Sequence, residues 1–159
     1  MTKKTLIIYT DGASRGNPGP GGYGAILKWG DVEKELSQGF RKTTNNRMEL
    51  LAVIAALEYL KKDGLQITIY SDSQYVVKAV EEGWLNNWIR TDFKGGKKNK
   101  DLWYRFYDLS KQHQIKFIWV KGHAQNPYNN RCDELATAAA DDKNNLLIDE
   151  VYENEIHQQ

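Results

Sequence analysis

The sequence predicts an α/β domain built on a five-stranded mixed sheet, three antiparallel strands followed by two parallel ones, with helices on its faces. Three observations predict this class. Apolar runs of strand length recur along the chain, residues with helical spacing separate the later runs, and a Gly30-Asp31 turn joins two earlier ones. At 159 residues, the chain is long enough to form one domain with a sizeable core.

The first three strands precede any helix. Residues 6–9 form an apolar run that is typical of a buried strand, and Asp11 stands where this strand is expected to end. The glycines and prolines that follow are expected to break regular structure at once. Residues 23–29 then predict a second strand and residues 33–41 a third, antiparallel to the second through the intervening turn.

Helices and strands alternate through the rest of the chain, which is typical of parallel strands joined by crossovers. Apolar residues at helical spacing, such as Met48, Leu51 and Ala55, mark the helices. The predicted elements are a helix at 46–62, a strand at 65–70, a helix from 73 that is interrupted at 83, a short amphipathic piece at 84–88, a basic loop at 92–100, a helix at 101–113, a strand at 115–120, a loop at 122–128 and a helix at 131–142.

Charge is unevenly distributed, although the net charge is only +1. Residues 84–100 carry five Lys or Arg against one Asp, a balance of +4, and residues 141–159 carry six Asp or Glu against one Lys, a balance of −5. These contrasts predict a domain at 1–142 that contains a basic segment. An acidic tail at 143–159 follows it and is expected to be mobile.

Cysteine usage and hydropathy exclude several classes of protein. Cys132 is the single cysteine, so an intramolecular disulfide and a Cys-rich zinc site are both excluded. The short apolar run after Lys3 and Lys4 predicts no signal peptide, and no run of about 20 apolar residues occurs in the sequence. We therefore expect no membrane association and a cytoplasmic location.

Two carboxylates follow apolar strands directly. Asp11 comes after the first strand and Asp72 after the fourth. If these two strands are parallel neighbours, both carboxylates lie at the carboxyl edge of the sheet, where open α/β sheets place their ligand sites. The alternative for either residue alone is a turn or helix cap, above all for Asp72, which precedes Ser73 and Gln74.

Two further acids have equally good structural explanations. Glu49 is three residues after Asn46, as in a capping box, and Asp133 is three residues after Asn130, near a positive helix end. Capping alone remains open for each. Converging carboxylates repel one another, however, and hard divalent cations such as Mg²⁺, which prefer oxygen ligands, would compensate them. Two such ions can activate a water and stabilise the leaving oxygen of a phosphodiester.

The remaining candidates are weaker by themselves. A lone loop histidine such as His123 is usually a surface residue. The glycines between 12 and 22 lack the P-loop pattern and are interpreted as letting a nucleic-acid backbone approach closely. Trp84, Trp88 and Phe93, interleaved with lysines, predict either an aromatic core or a surface that contacts phosphates.

Together these stretches resemble the ribonuclease H type 1 family, its bacterial members in particular. The matching motifs occur in the order of the family across nearly all of residues 4–142. They are Thr10-Asp11-Gly12 with Gly16-Asn17-Pro18-Gly19, Thr43-Thr44-Asn45-Asn46-Arg47-Met48-Glu49-Leu50, Tyr70-Ser71-Asp72-Ser73-Gln74-Tyr75-Val76, Trp119-Val120-Lys121-Gly122-His123-Ala124 and Cys132-Asp133-Glu134-Leu135-Ala136.

The resemblance implies a ribonuclease H-like fold and an endonuclease that cuts the RNA strand of an RNA–DNA hybrid, leaving 5′-phosphate and 3′-hydroxyl ends. We also expect a monomer without an obligate protein partner. It also implies specific roles. Four acids would hold two Mg²⁺ ions, with Mn²⁺ as a substitute: Asp11, Glu49, Asp72 and Asp133. His123 would assist proton transfer or product departure. Thr44 would help to seat a phosphate of the DNA strand. Three side chains would contact the minor groove, where 2′-hydroxyls are displayed: Asn17, Asn45 and Gln74. A basic protrusion would grip the DNA strand through Trp84, Trp88, Lys97 and Lys98.

Two other functions remain open at this point. A non-catalytic module could bind hybrids without cutting them, although all four acids are present. A nuclease of the same broad fold could cut DNA instead, although Asn45 and Gln74 favour hybrids.

Overall fold

The computed structural model describes residues 5–121 and 126–157, with side chains up to residue 155. The elements are β1 Thr5–Ser14, β2 Gly19–Trp29, β3 Val32–Thr43, α1 Asn45–Tyr59, β4 Gln66–Ser71, α2 Gln74–Glu81, α3 Trp84–Arg90, α4 Lys100–Ser110, β5 Gln114–Trp119, α5 Pro127–Asp141, β6 Leu146–Leu147 and α6 Glu150–His157.

One mixed sheet with the strand order β5-β4-β1-β2-β3-β6 organises the described residues. β1, β2 and β3 are antiparallel, while β1, β4 and β5 run parallel, as the sequence predicts. The predicted number of five strands is wrong by one, because Leu146 and Leu147 pair in parallel with Gly39 and Phe40 of β3. A two-residue strand carries no alternation from which it could be recognised in advance.

The core has two parts because alternate residues of β1 point to opposite faces of the sheet. Leu6 and Ile8 join the larger cluster, which packs beneath α1, α2 and α4. Tyr9 joins a smaller cluster with Ile26 and with Cys132 of α5. Burial raises the pKa of the Cys132 thiol, whose sulfur contacts the Tyr9 carbonyl oxygen at 3.3 Å, so this cysteine is an inert packing residue.

Most of the glycine-rich stretch continues the strands, and only residues 15–18 break regular structure, as the sequence predicts for the whole stretch. A Cβ at Gly22 would lie 2.5 Å from the Ala136 carbonyl oxygen, and one at Gly24 would collide with the Cys132 carbonyl oxygen. The absence of side chains therefore lets α5 lie directly on the sheet. At these positions it is a helix of the protein, not a nucleic-acid backbone, that approaches closely.

The acidic tail also differs from the expected mobile segment. Its strand β6 joins the sheet edge and its helix α6 follows. Asp149, between these two elements, is buried and accepts a hydrogen bond of 2.7 Å from the Thr43 hydroxyl. The tail is docked because this carboxylate finds donors on α1 and β3. None of the helices in the described ranges has the length and apolar character needed to cross a membrane.

Candidate active site

Asp11 and Asp72 lie side by side at one edge of the sheet. The parallel pairing of β1 with β4 runs as far as Thr10 opposite Ser71, so Asp11 is the next residue of β1 and Asp72 directly follows β4. This confirms that the first and fourth strands are parallel neighbours. Asp72 is not the helix cap, because Ser73 caps α2 by accepting from the Val76 N–H.

Glu49 reaches the same point from α1. The N-cap of α1 is Thr44, which accepts from the Arg47 N–H, so Glu49 is not part of a capping box. Instead its carboxylate accepts from the Gly12 N–H, which also donates to Asp11 Oδ1 at 2.8 Å. Gly12 therefore joins the two acids through one backbone donor.

Asp133 comes from α5 on the rim of the site. The N-cap of α5 is Asn126, whose Oδ1 accepts from the backbone N–H groups of Tyr128 and Asn129. Asp133 thus lies in the second turn, outside the reach of the cap, and the capping alternative is excluded for it as well. Its exposed side chain lines a surface depression that Asp11, Glu49 and Asp72 also line. The volume of this depression is about 470 Å³.

The three inner carboxylates form a tight cluster. One oxygen from each of Asp11, Glu49 and Asp72 lies within 4.8 Å of the others, and the first two residues are buried. Burial is the main cause that raises the pKa of Asp11 from 3.8 to about 7; the charges of Asp72 and Asp133 add to it, and the hydrogen bond with Glu49 opposes it. Burial, followed by the charges of Asp11 and Asp72, raises the pKa of Glu49 well above its usual range.

This donor set fits a divalent cation. Among the described residues, no Lys or Arg forms an ion pair with any of these three carboxylates. Buried charges without such a partner are costly, and an ion with oxygen ligands would remove that cost. The negative charge concentrated here is therefore best explained as a metal site.

The asparagines predicted to contact substrate lie together beside this cluster. Asn17 Oδ1 accepts from the Asn45 N–H at 3.1 Å, and Asn45 lines the depression together with Gln74. Both of these lining residues are exposed. The Thr44 hydroxyl caps α1 and is half-buried, at the start of the same helix.

The aromatic residues of the basic segment divide between core and surface. Trp84 is 40% exposed, whereas Trp88 packs partly against the core, 6.1 Å from the Phe93 ring. Phe93 is buried, so the core alternative holds for this residue. Lys97 and Lys98 are exposed, and the Lys97 ammonium lies 5.7 Å from the centre of the Trp88 ring.

His123 lies outside the described residues, so its predicted role stays a prediction. Sequence reasoning missed Tyr75, which lines the depression beside Gln74. Its position directly after Gln74 is the signal that could have indicated it. Asn99, which bonds to the Tyr75 hydroxyl, carried no signal of its own.

Gly12→Ala should separate Asp11 from Glu49. The new Cβ would collide with the backbone of Met48 and Glu49, which are fixed in α1, so the helix or the strand must shift. We expect cleavage of the substrate proposed below to fall by about tenfold or more, since a displacement of about 1 Å can cost 10²-fold. Single-turnover kinetics at saturating metal would measure it. Gly64→Ala meets no atom within 4 Å, but the φ of 75° strains an alanine there, so it controls for a strained backbone outside the site; an equal loss in both variants would contradict the explanation.

Three clustered carboxylates with a fourth on the rim, at the carboxyl edge of a mixed α/β sheet, define a metal-dependent enzyme. The comparisons with known proteins agree. The family model described as RNase H matches residues 3–141. Ribonuclease H of Lachnoclostridium phytofermentans is 56% identical over 158 residues, covering 93% of this chain and 99% of that protein. Ribonuclease H of Desulforamulus reducens is 53% identical over 145 residues, covering 89% and 91%.

Solved structures extend the likeness to the fold. LC9-RNase H1, a type 1 RNase H with the type 2 active-site motif, matches with a TM-score of 0.79 at 28% identity, covering 88% of this chain and 74% of that one. LC11-RNase H1 in complex with an RNA/DNA hybrid matches with a TM-score of 0.64 at 26% identity, covering 86% and 96%. This chain belongs to the ribonuclease H family, which confirms the resemblance and the fold class.

Proposed function

We propose that this protein is an endoribonuclease that hydrolyses the RNA strand of RNA–DNA hybrids with two Mg²⁺ ions, for which Mn²⁺ can substitute. The observation that carries the proposal is the cluster of Asp11, Glu49 and Asp72, whose oxygens lie within 4.8 Å of one another. Membership of the family supports the reaction, and the RNA/DNA hybrid bound to a structural neighbour supports the substrate.

The four acids act as ligands. Asp11, Glu49, Asp72 and Asp133 would hold the ions, which supply an activated water and stabilise the departing 3′-oxygen when bound. The protein contributes position: Gly12 fixes two of the ligands, and the sheet edge fixes Asp72. No covalent intermediate on a side chain is needed, because a phosphate held in line already has the geometry for displacement.

Selection of hybrids would come from two groups of residues, one for each strand. Asn17, Asn45 and Gln74 can donate and accept hydrogen bonds, as recognition of ribose 2′-hydroxyls requires. Trp84 and Trp88, with Lys97 and Lys98, would contact the DNA strand, to which each lysine offers a charge that replaces a condensed counterion. Thr44 would add a phosphate contact at the start of α1. His123 would assist proton transfer or product departure.

A comparison of substrates tests this function. Labelled RNA–DNA hybrid, duplex RNA and duplex DNA of one sequence should be incubated with the protein in Mg²⁺, in Mn²⁺ and in EDTA. We expect cleavage of the RNA strand of the hybrid only, in either metal, with no cleavage in EDTA. Binding of the hybrid without cleavage in any metal would instead support a non-catalytic module, and cleavage of duplex DNA would support a DNA nuclease.

The setting of the enzyme follows from the same proposal. We propose a monomer that works in the cytoplasm without a membrane or an obligate protein partner, in keeping with bacterial relatives. We also propose that the family domain ends near residue 142. The match of the family model to residues 3–141 supports this boundary, and the docked tail is then an addition to the domain.

A further inference from the structure

We propose that Asn99 is a positioning residue that sets the lysine-bearing segment 94–98 relative to the acid cluster. It does so by bridging Arg47, at the start of α1, and Tyr75, on α2. The inference rests on the proposed function, because it assigns a role in gripping the hybrid.

The conformation of Asn99 is unusual for its place in the chain. It precedes α4, where an asparagine side chain commonly caps the helix, yet its φ of 67° and ψ of 30° are left-handed and its side chain makes no cap bond. The side chain is turned to two other helices instead. Its Oδ1 accepts from Arg47 Nη1 at 3.3 Å and its Nδ2 donates to the Tyr75 hydroxyl at 3.1 Å.

Both partners are themselves held firmly. The Arg47 guanidinium is buried and bonds to Asp101 and to Asp149 at distances of 2.7–3.0 Å. The Tyr75 hydroxyl also accepts from the Trp103 indole N–H at 2.7 Å. Asn99 therefore connects two firmly held side chains. Arg47 is two residues before Glu49 in the chain, and Tyr75 directly follows Gln74.

The opposite end of the segment is anchored at the buried Phe93, but a glycine pair separates this anchor from Lys97 and Lys98. Gly95 and Gly96 have φ values of 81° and 76°, and a Cβ at either would meet nothing within 4 Å. Lys97 and Lys98 lie between this open glycine pair and Asn99. Lys97 also contacts the Trp88 ring, but Asn99 is the anchor next to Lys98 in the chain, so we infer that it sets the direction in which the two lysines leave the fold.

Asn99→Gly isolates this role. Glycine adopts a φ of 67° freely, so the backbone is not strained and only the two side-chain bonds are lost. We expect KM for the hybrid to rise about fivefold with kcat unchanged, the size typical of losing one or two hydrogen bonds. The dissociation constant of hybrid, measured by fluorescence anisotropy with the Asp11→Asn variant to prevent cleavage, should rise by the same factor. Asn144→Gly, in an exposed turn of the tail, is the matched control and should change neither value.

A second background decides whether Asn99 works through the lysines. In the Lys97→Ala/Lys98→Ala protein, Asn99→Gly should raise KM by less than about 1.5-fold. If Asn99 acts through the two lysines, the effects of substituting them are not additive. Tyr75→Phe, which removes the other end of the bridge, should show the same dependence on background. An equal rise in both backgrounds, a fall in kcat alone, or no rise in either would overturn the inference. If the unmodified protein fails to cut hybrids, the proposed function itself fails, and this result is distinct from all of those.

Discussion

Asp11→Asn is expected to abolish cleavage of the hybrid while leaving its binding largely intact. The asparagine keeps the volume and the oxygen that accepts from the Gly12 N–H, but it removes the central negative charge of the cluster. Because the chemistry depends on ions held by these carboxylates, we expect the single-turnover rate in Mg²⁺ to fall by about 10³-fold or more. Fluorescence anisotropy should give a dissociation constant for hybrid within a few-fold of that of the unmodified protein.

Asp63→Asn is the matched control, since it removes an exposed carboxylate beyond the C-terminal end of α1. Its rate should equal that of the unmodified protein. If Asp11→Asn cuts at a near-normal rate in Mg²⁺, the assignment of the metal ligands is wrong.

Asp11→Asn should also be more stable than the unmodified protein when metal is absent. The Asp11 carboxyl keeps its proton up to about pH 7 in the folded protein but loses it near pH 3.8 when unfolded. The folded state therefore binds more protons across this window, so the free energy of unfolding falls as the pH rises from about 4 to 7. The substituted amide has no proton to lose, and we expect Asp11→Asn to be more stable by about 4 kcal/mol at pH 8 in EDTA, because the pKa difference from 3.8 to about 7 is about three units at 1.36 kcal/mol each. Urea unfolding at several pH values would measure this difference, and its disappearance at pH 4 is the internal check.

Arg47→Ala is expected to cost about 3–5 kcal/mol of stability, the range for removing one partner of a buried ion pair. Arg47 is 2% exposed, and its guanidinium bonds to both oxygens of Asp149 and of Asp101. Burial works against the ionised form of Asp101, yet the hydrogen bonds from Arg47 outweigh it and hold the pKa of Asp101 below its ordinary value. Without Arg47, two carboxylates would remain in a poorly solvated place with no positive partner among the contacts described above.

Urea unfolding at pH 7 would measure the effect. Arg15→Ala removes a guanidinium from an ion pair with Asp141 in which both side chains are 54% exposed, and it should cost less than about 1 kcal/mol. If the two variants lose the same stability, the buried network contributes no more than a surface pair, and the account of how the tail is docked fails.

Local patterns determined much of this protein. The apolar runs before Asp11 and Asp72 predicted two buried strands, and the helix before the second favoured a parallel neighbour. The placement of two carboxylates at one sheet edge depended on these strands being neighbours, which the pairing of β1 with β4 confirms. The family motifs predicted Glu49 and Asp133 as further metal ligands. Sequence patterns within each helix had left both residues as possible helix caps.

Other features depended on contacts between residues that are distant in the chain. Thr44, Ser73 and Asn126 are the caps that free the acids for another role, and the choice among neighbouring polar residues depends on where each helix begins. Gly22 and Gly24 are strand residues because α5 lies against them, although glycine alone favours a turn.

Spacing and hydrophobicity predicted the order of the elements up to α5 and, together with the family motifs, the four acids, because these are local properties that survive in any arrangement of the chain. Contacts between distant residues, by contrast, place Asp149 against Arg47, 102 residues away in the chain, and Asn99 between two helices. A charged or polar side chain is equally compatible with solvent and with a buried partner, and the partner exists only once the chain has folded.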